Sequence, residues 1–230
     1  MLLLRRVCVL SVRVQICTMS HGLEKVRGPK MQNFYEEAFH YTREVDGQFP
    51  RPWMTDLSDP LEANCFIVGR NQRNGYEVAA VGNQQRHVDA LFNRNGASCR
   101  GLYDSLFSPS PTRKNIDRLS HKLKKGGARV LETNVICFSS PMSSDLTQGQ
   151  RSIGSQVFKW LLDRIAPEVI IVHGAGAAKE LSKLDTASTA IIEMPSLAPP
   201  AYNKWHARSD VELDQIARKA LSKLNANQAL

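Results

Sequence analysis

Cys65-Phe66-Ile67-Val68-Gly69-Arg70-Asn71 is a short apolar run that stops at a glycine and then offers a polar side chain. A buried strand that delivers a functional group at its carboxyl end has this form. Three later segments repeat it: Arg129-Val130-Leu131-Glu132-Thr133-Asn134, Val169-Ile170-Ile171-Val172-His173-Gly174 and Ala190-Ile191-Ile192-Glu193-Met194-Pro195-Ser196. Endings in Gly, Asn or Ser on all of these runs predict one edge of one sheet, and that edge is where a site is expected. With helical segments between the runs, the expectation is a three-layer α/β/α fold around a central, mainly parallel four-stranded sheet.

The totals fit one such domain. A chain of 230 residues with 42% hydrophobic content has room for a sizeable core. Its net charge is +8, and the first 60 residues contribute 8 basic against 7 acidic side chains, so the excess lies in the later part. A basic domain favours a polyanionic partner such as nucleic acid, although many basic enzymes never touch DNA. The cysteines at 8, 17, 65, 99 and 137 form no CxxC pair and no Cys/His ligand spacing. Reduced thiols, no structural metal and no cofactor are therefore expected, with Cys65 and Cys137 as small buried hydrophobes.

Organisation follows from local signals. Residues 1–30 read as an N-terminal extension. Its stretch up to about Gly22 is rich in Leu, Val and Arg and has no acid before Glu24, superficially like a mitochondrial presequence. Unselected sequence upstream of a later start at Met19 or Met31 would look the same, and Arg5, Arg6 and Arg13 break it too often for a membrane span. Residues 31–60 comprise a packing helix with aromatics at 34, 35, 39 and 41 and Ala38 on the same face, then a strap whose prolines oppose regular structure. The domain proper is expected over 61–230. It contains a Gly- and Asn-rich loop over 72–85, an amphipathic piece over 86–92, and helices over 113–125, 154–165 and 210–224. The helix at 113–125 carries Arg113, Lys114, Arg118, Lys122, Lys124 and Lys125 against Asp117 alone. Phosphate contact and a solvated face are equally open readings. The Gly174-Ala175-Gly176 junction lacks the third glycine of a dinucleotide fingerprint, so close helix–strand packing is the better reading.

The ordered endings Gly69-Arg70-Asn71, Thr133-Asn134 and Met194-Pro195-Ser196, spaced 63 and 60 residues apart, resemble those of the uracil-DNA glycosylase superfamily. The likeness covers roughly residues 61–204 and is nearest to the mismatch-specific uracil/thymine branch. It implies a metal-independent, monofunctional DNA base glycosylase of base excision repair, acting on a base flipped from single-stranded or mismatched DNA. A monomer without a membrane partner is implied as well. The implied location is cytoplasmic or nucleoid-associated, or mitochondrial or nuclear in a eukaryote.

Residue by residue, the resemblance makes Asn71 the catalytic position and Gly69, Asn134 and Tyr76 the base-binding ones. Met194, Pro195, Ser196, Leu197, Arg70 and Arg73 fall to DNA. The chemistry is coherent with these types. Asn134 offers one acceptor and one donor, matching the N3–H and O4 edge of uracil or thymine. Asn71 cannot accept a proton near neutral pH but can hold an attacking water, which predicts slow turnover or good leaving groups. Pro195-Ser196 permits a tight turn against a phosphate, and Leu197 is placed as an apolar wedge filling the vacated stack.

Plain alternatives stand beside each: a strand-end Asn that caps a loop, an Asn that tolerates a positive φ, a Pro-rich surface loop. Two departures matter. Gln72 stands where the family has proline, and Met194 where its fast members have histidine. Tyr76 is the nearest aromatic for stacking on the base, and surface charge is the alternative for Arg70 and Arg73. His173 reads as a core histidine, His121 has no evident partner, and residues 205–208 read as a packing Trp segment near the Met-Pro-Ser loop. A second function class therefore competes: a glycosylase-fold protein without chemistry that binds nucleic acid or nucleotides. The absence of GxSxG and of a complete GxGxxG disfavours a hydrolase or NAD-binding protein.

Overall fold

The computed structural model describes residues 29–186, 188–198 and 207–228. The expected extension, up to residue 28, and the Trp205-His206 segment lie outside the described residues. In chain order the elements are α1 (Pro29–Tyr41), β1 (Gln48–Phe49), a 3-10 turn (Pro60–Glu62), β2 (Cys65–Gly69), β3 (Tyr76–Glu77), α2 (Val78–Val81), α3 (Gln84–Leu91), α4 (Cys99–Leu106) and α5 (Pro111–Lys125). There follow β4 (Val130–Asn134), a 3-10 turn (Ser143–Asp145), α6 (Gln148–Ile165), β5 (Val169–His173), α7 (Ala175–Leu181), β6 (Ala190–Met194) and α8 (Ala207–Gln228).

The central sheet has four strands in the order β4-β2-β5-β6, and every pair is parallel. The chain leaves β2 for β4 on one side and returns to β5 on the other. That reversal opens a crevice above the carboxyl ends of β2 and β5, where open α/β sheets hold their ligands. Gly69 is level with Asn134, and His173 with Met194, so all four strand ends present their last residues along one rim.

Period-two alternation sends the strands' side chains into two cores. Phe66, Val68, Leu131, Ile170 and Val172 pack with α1, α3, α6 and α7 through Phe34, Leu91, Phe158 and Leu181. Cys65, Ile67, Val130, Ile171 and Ile192 face α5 and α8 through Leu119, Leu123, Leu213 and Leu224. Each fully buried aliphatic or aromatic side chain contributes about 1.5–3 kcal/mol, which is why the apolar stripes decide the layering. Trp53 and Phe34 stack at 5.4 Å within the first core, so residues 31–60 share the hydrophobic centre of the sheet domain. Cys65, Cys99 and Cys137 are buried free thiols pushed up to about 12 by desolvation.

Several local expectations change. The Pro-rich strap is ordered: Met54 and Glu132 exchange backbone hydrogen bonds of 2.8 and 2.9 Å as an antiparallel bridge on the outer edge of β4. The prolines sit at 50, 52 and 60, leaving the N–H groups of Arg51 and Met54 to donate. The 72–85 loop contains β3, paired with β1, and the short helix α2. Much of the basic charge on α5 meets acids from distant segments. Lys122 lies 3.1 and 2.6 Å from Asp210 and Asp214, Lys124 lies 2.9 Å from Asp56, and Arg113 is buried against Asp117 and Glu132. Among the described residues no helix is long and apolar enough to cross a membrane.

Candidate functional site

A cavity of about 640 Å³ opens at the carboxyl rim of the sheet, within the range of about 300–1,000 Å³ usual for ligand sites. Asn71, Asn134 and Ser196 all line it, together with Arg70 and Arg73. The three motifs, far apart in the chain, therefore meet around one space.

Asn71 is placed by two loops that run side by side. Beyond β2 and β4 the chains continue in parallel contact, with Val135 N donating to Gly69 O at 2.9 Å, Ile136 N to Arg70 O at 2.9 Å and Ser140 N to Gln72 O at 3.0 Å. The Asn71 amide donates to Gln72 O at 3.2 Å and to Ser140 Oγ at 3.1 Å, and its Oδ1 accepts from Ser143 Oγ at 2.5 Å. The carboxamide is thus oriented by three partners, with one lone pair of Oδ1 left for a further donor. Gln72, in the proline position of the resemblance, is buried, and its side chain donates to Cys137 O at 3.3 Å. It ties the same two loops together.

Asn134 ends β4 directly beside Gly69. A Cβ at Gly69 would sit 2.6 Å from Asn134 Oδ1 and 3.0 Å from His173 Nε2. Only glycine leaves that space open, so Gly69 acts by omission of a side chain. Gly176 does the same for Arg70, whose Cδ would lie 3.0 Å from an added Cβ. Gly174 has φ +87° and passes against Ser196, which fits the packing reading of this glycine pair.

The Pro195–Ala198 turn is held from below. Leu197 is fully buried in the core under α5 and α8, its carbonyl accepts from buried Asn115 at 3.1 Å, and its N–H approaches His173 Nδ1 at 3.5 Å. The expected wedge is thus an anchor, because its side chain points into the apolar layer. Met194 is likewise buried there, whereas Pro195 is exposed. Ser196 Oγ accepts from Ala198 N at 3.1 Å, which leaves its proton able to donate.

Tyr76 does not reach the cavity. Its ring is buried between Phe107 and His87, and desolvation raises its hydroxyl pKa. Among the described residues the tyrosine in the wall is Tyr103 of α4, with the Arg51 guanidinium 5.3 Å from its ring centroid. The spacing of Cys99, Leu102, Tyr103 and Leu106 behind an N-capping Ser98 is the signal that could have found this helix. Arg51, Arg113, Glu132 and His173 are further lining residues. Arg113 pairs with Glu132 at 2.5 Å, and its charged form is strongly favoured by that carboxylate despite burial. Among the described residues, arginines at 51, 70, 73 and 113 against the single carboxylate of Glu132 give the lining a positive field suited to phosphate. His173 is held neutral, since burial lowers its pKa to about 4. His121 is exposed. Among the described residues no group of three or more His, Cys, Asp or Glu is placed to hold a metal ion.

No protein-family model matches this chain, and no curated protein matches it.

Proposed function

We propose that this chain is a monofunctional DNA base glycosylase that hydrolyses the N-glycosidic bond of uracil, or of a related damaged or mismatched base, flipped out of DNA. The observation that carries this reading is the meeting of Asn71, Asn134 and Ser196 around one cavity at the switch point of the sheet. A base inside a duplex must leave the stack before its glycosidic bond can be reached. In this reading Asn134 pairs with the imide edge of the extruded base. Ser196 and the arginines hold the flanking phosphates, and Asn71, oriented by Ser140 and Ser143, holds the water that adds to C1′. The bond's electron pair leaves with the base, and the positive lining favours that developing anion.

The test is incubation with duplexes carrying uracil, thymine mismatches, hypoxanthine or 5-modified pyrimidines, followed by alkaline cleavage of abasic sites. Product from one of them, lost in Asn71→Ala, supports the reading; no product, or full activity in that variant, removes it.

One observation favours a binding module instead. Among the described residues the lining's only carboxylate is taken by Arg113, and Asn71 is engaged at both ends of its amide, so neither is free to act as a strong base. A binder would keep uracil or abasic-site affinity with a steep salt dependence and leave the substrate intact.

A further inference from the structure

The strap holds Arg51 against the cavity with little freedom. Three successive residues are tied to three different elements: Pro50 O accepts from His87 of α3 at 2.8 Å, Arg51 N donates to Cys137 O at 2.8 Å, and Pro52 O accepts from Thr133 Oγ1 of β4 at 2.5 Å. The Arg51 guanidinium lies 5.6 Å from the ring centroid of Tyr76 and 5.3 Å from that of Tyr103. Both rings are buried, so they close the wall behind the ion and steady it without neutralising it. Arg113 in the same wall is neutralised by Glu132 and Asp117, whereas Arg51 forms no ion pair among the described residues.

Its place also separates it from the phosphate contacts assigned above. The strap runs outside β4, and Ser196 turns back over Gly174 at the end of β5. With β4 and β2 in between, the two backbones stand three strand spacings apart, roughly 14 Å, and Asn134 and Gly69 lie between them. The cavity also reaches down the α5 face to Ile67 and Glu132, which lie roughly 7 Å below their strand ends at Gly69 and Asn134. Its volume of about 640 Å³ suits a drug-sized ligand. A nucleoside monophosphate is of that size, and a lone pyrimidine ring is much smaller.

We infer that Arg51 is a phosphate-binding residue and that the cavity takes a free pyrimidine deoxynucleoside 5′-monophosphate, its base against Asn134 and its phosphate on Arg51. The placing of the base rests on the base-excision reading. A phosphate within a strand continues to its neighbours, and the closed wall gives them no path beyond Arg51; a terminal phosphate needs none. A preorganised guanidinium without a carboxylate offers such a group two parallel N–H bonds at little cost in ordering. Hydrolysis of the bound nucleotide follows the same step as in DNA. Water's oxygen bonds to C1′ and the C1′–N electron pair leaves with the base, which takes one proton of the water. The products are free base and 2-deoxyribose 5-phosphate.

Calorimetric titration of the full chain with deoxyuridine 5′-monophosphate and with deoxyuridine tests the site. The wild type is expected to prefer the monophosphate by at least about tenfold, Arg51→Gln to lose that preference with deoxyuridine binding kept, and Arg51→Lys to retain part of it. Equal affinities in the wild type, or an unchanged preference in Arg51→Gln, overturn the inference. If Arg51→Gln loses deoxyuridine as well, Arg51→Lys decides: a reduced preference with deoxyuridine kept supports the site, and any other result overturns it. Single strands with deoxyuridine at a phosphorylated 5′ end or at an internal position separate the sources. Tighter binding of either than of the monophosphate, lost in Arg51→Gln, assigns Arg51 to a strand and overturns the free nucleotide.

Release of uracil from the monophosphate is followed by chromatography beside the duplex assay. Cutting of duplexes without preference for the monophosphate sinks the inference and keeps the base-excision reading. Preference through Arg51 without any cutting does the reverse. Preference and duplex cutting without release from the monophosphate overturn its hydrolysis and keep the site. Absence of both preference and cutting sinks both.

Discussion

Arg113 and Glu132 form an ion pair of 2.5 Å in the cavity wall, with side chains only 5% and 14% exposed. Removing one partner strands a desolvated charge, and such losses run to about 3–5 kcal/mol. Arg113→Met, which leaves Glu132 unpaired, is expected to lower the unfolding free energy by that order, and Glu132→Leu by less, because Asp117 still pairs Arg113 at 2.7 Å. The double variant is expected to recover most of the loss, because no unpaired charge remains. A double-mutant cycle on denaturation curves measures the coupling.

Ser143 orients the carboxamide of Asn71 through a single neutral hydrogen bond. Such a bond is worth about 1 kcal/mol, so Ser143→Ala should slow single-turnover excision about fivefold while leaving the melting temperature nearly unchanged. On the base-excision reading, Asn71→Ala should abolish excision with DNA affinity retained. Rates and filter-binding affinities on the same uracil duplex separate the effects.

Leu197 distinguishes an anchor from a wedge. With its side chain fully buried under α5 and α8, Leu197→Ala is expected to cost about 2–5 kcal/mol of stability. An intercalating leucine would instead lose DNA affinity with little change in stability. Urea denaturation and duplex titration of the same variant give the two outcomes.

His87 and His173 are both desolvated, and burial lowers each pKa to about 4 from an ordinary value near 6.5. Between those values the unfolded chain binds more protons than the folded one, so stability rises with pH through this window. Acidifying from pH 7 to 4 should therefore cost about 3 kcal/mol per histidine. His87 stacks on Phe49 at 5.4 Å and its Nε2–H donates to Pro50 O at 2.8 Å, so it is the clean probe away from the cavity. His87→Gln should flatten roughly half of the slope in denaturation midpoints measured from pH 7 to 4.5.

Much of the sheet was legible because burial on both faces writes a parallel strand as a continuous apolar run. Cys65–Gly69 and Val169–His173 are such runs, and the edge strand Ala190–Met194, buried only at Ile192 and Met194, begins where its run was expected. Helix α5 was legible over 113–125 and begins two residues earlier, capped by Ser110. The strap was not, since its order comes from the partner edge of β4, which no local pattern encodes. Tyr76 was misplaced because proximity in sequence to Asn71 carries no information on direction, and β3 turns that ring into a small separate core. Leu197 looked like a surface group for the same reason, and the layer covering it is made by α5 and α8. The charges of α5 looked unbalanced because Asp210, Asp214 and Asp56 lie far along the chain.

The antiparallel bridge between Met54 and Glu132 gives residues 49–60 two duties at once. They cap the outer rim of β4, whose unsatisfied amides would otherwise invite another strand, and they bring Arg51 and Met54 into the cavity wall. A shortened chain begun at residue 61 would keep every motif asparagine and serine yet lose one side of the vessel that surrounds them. It would also offer a bare ladder to its own copies, so self-association and inactivity would arrive together from a cut that touches none of the predicted site residues.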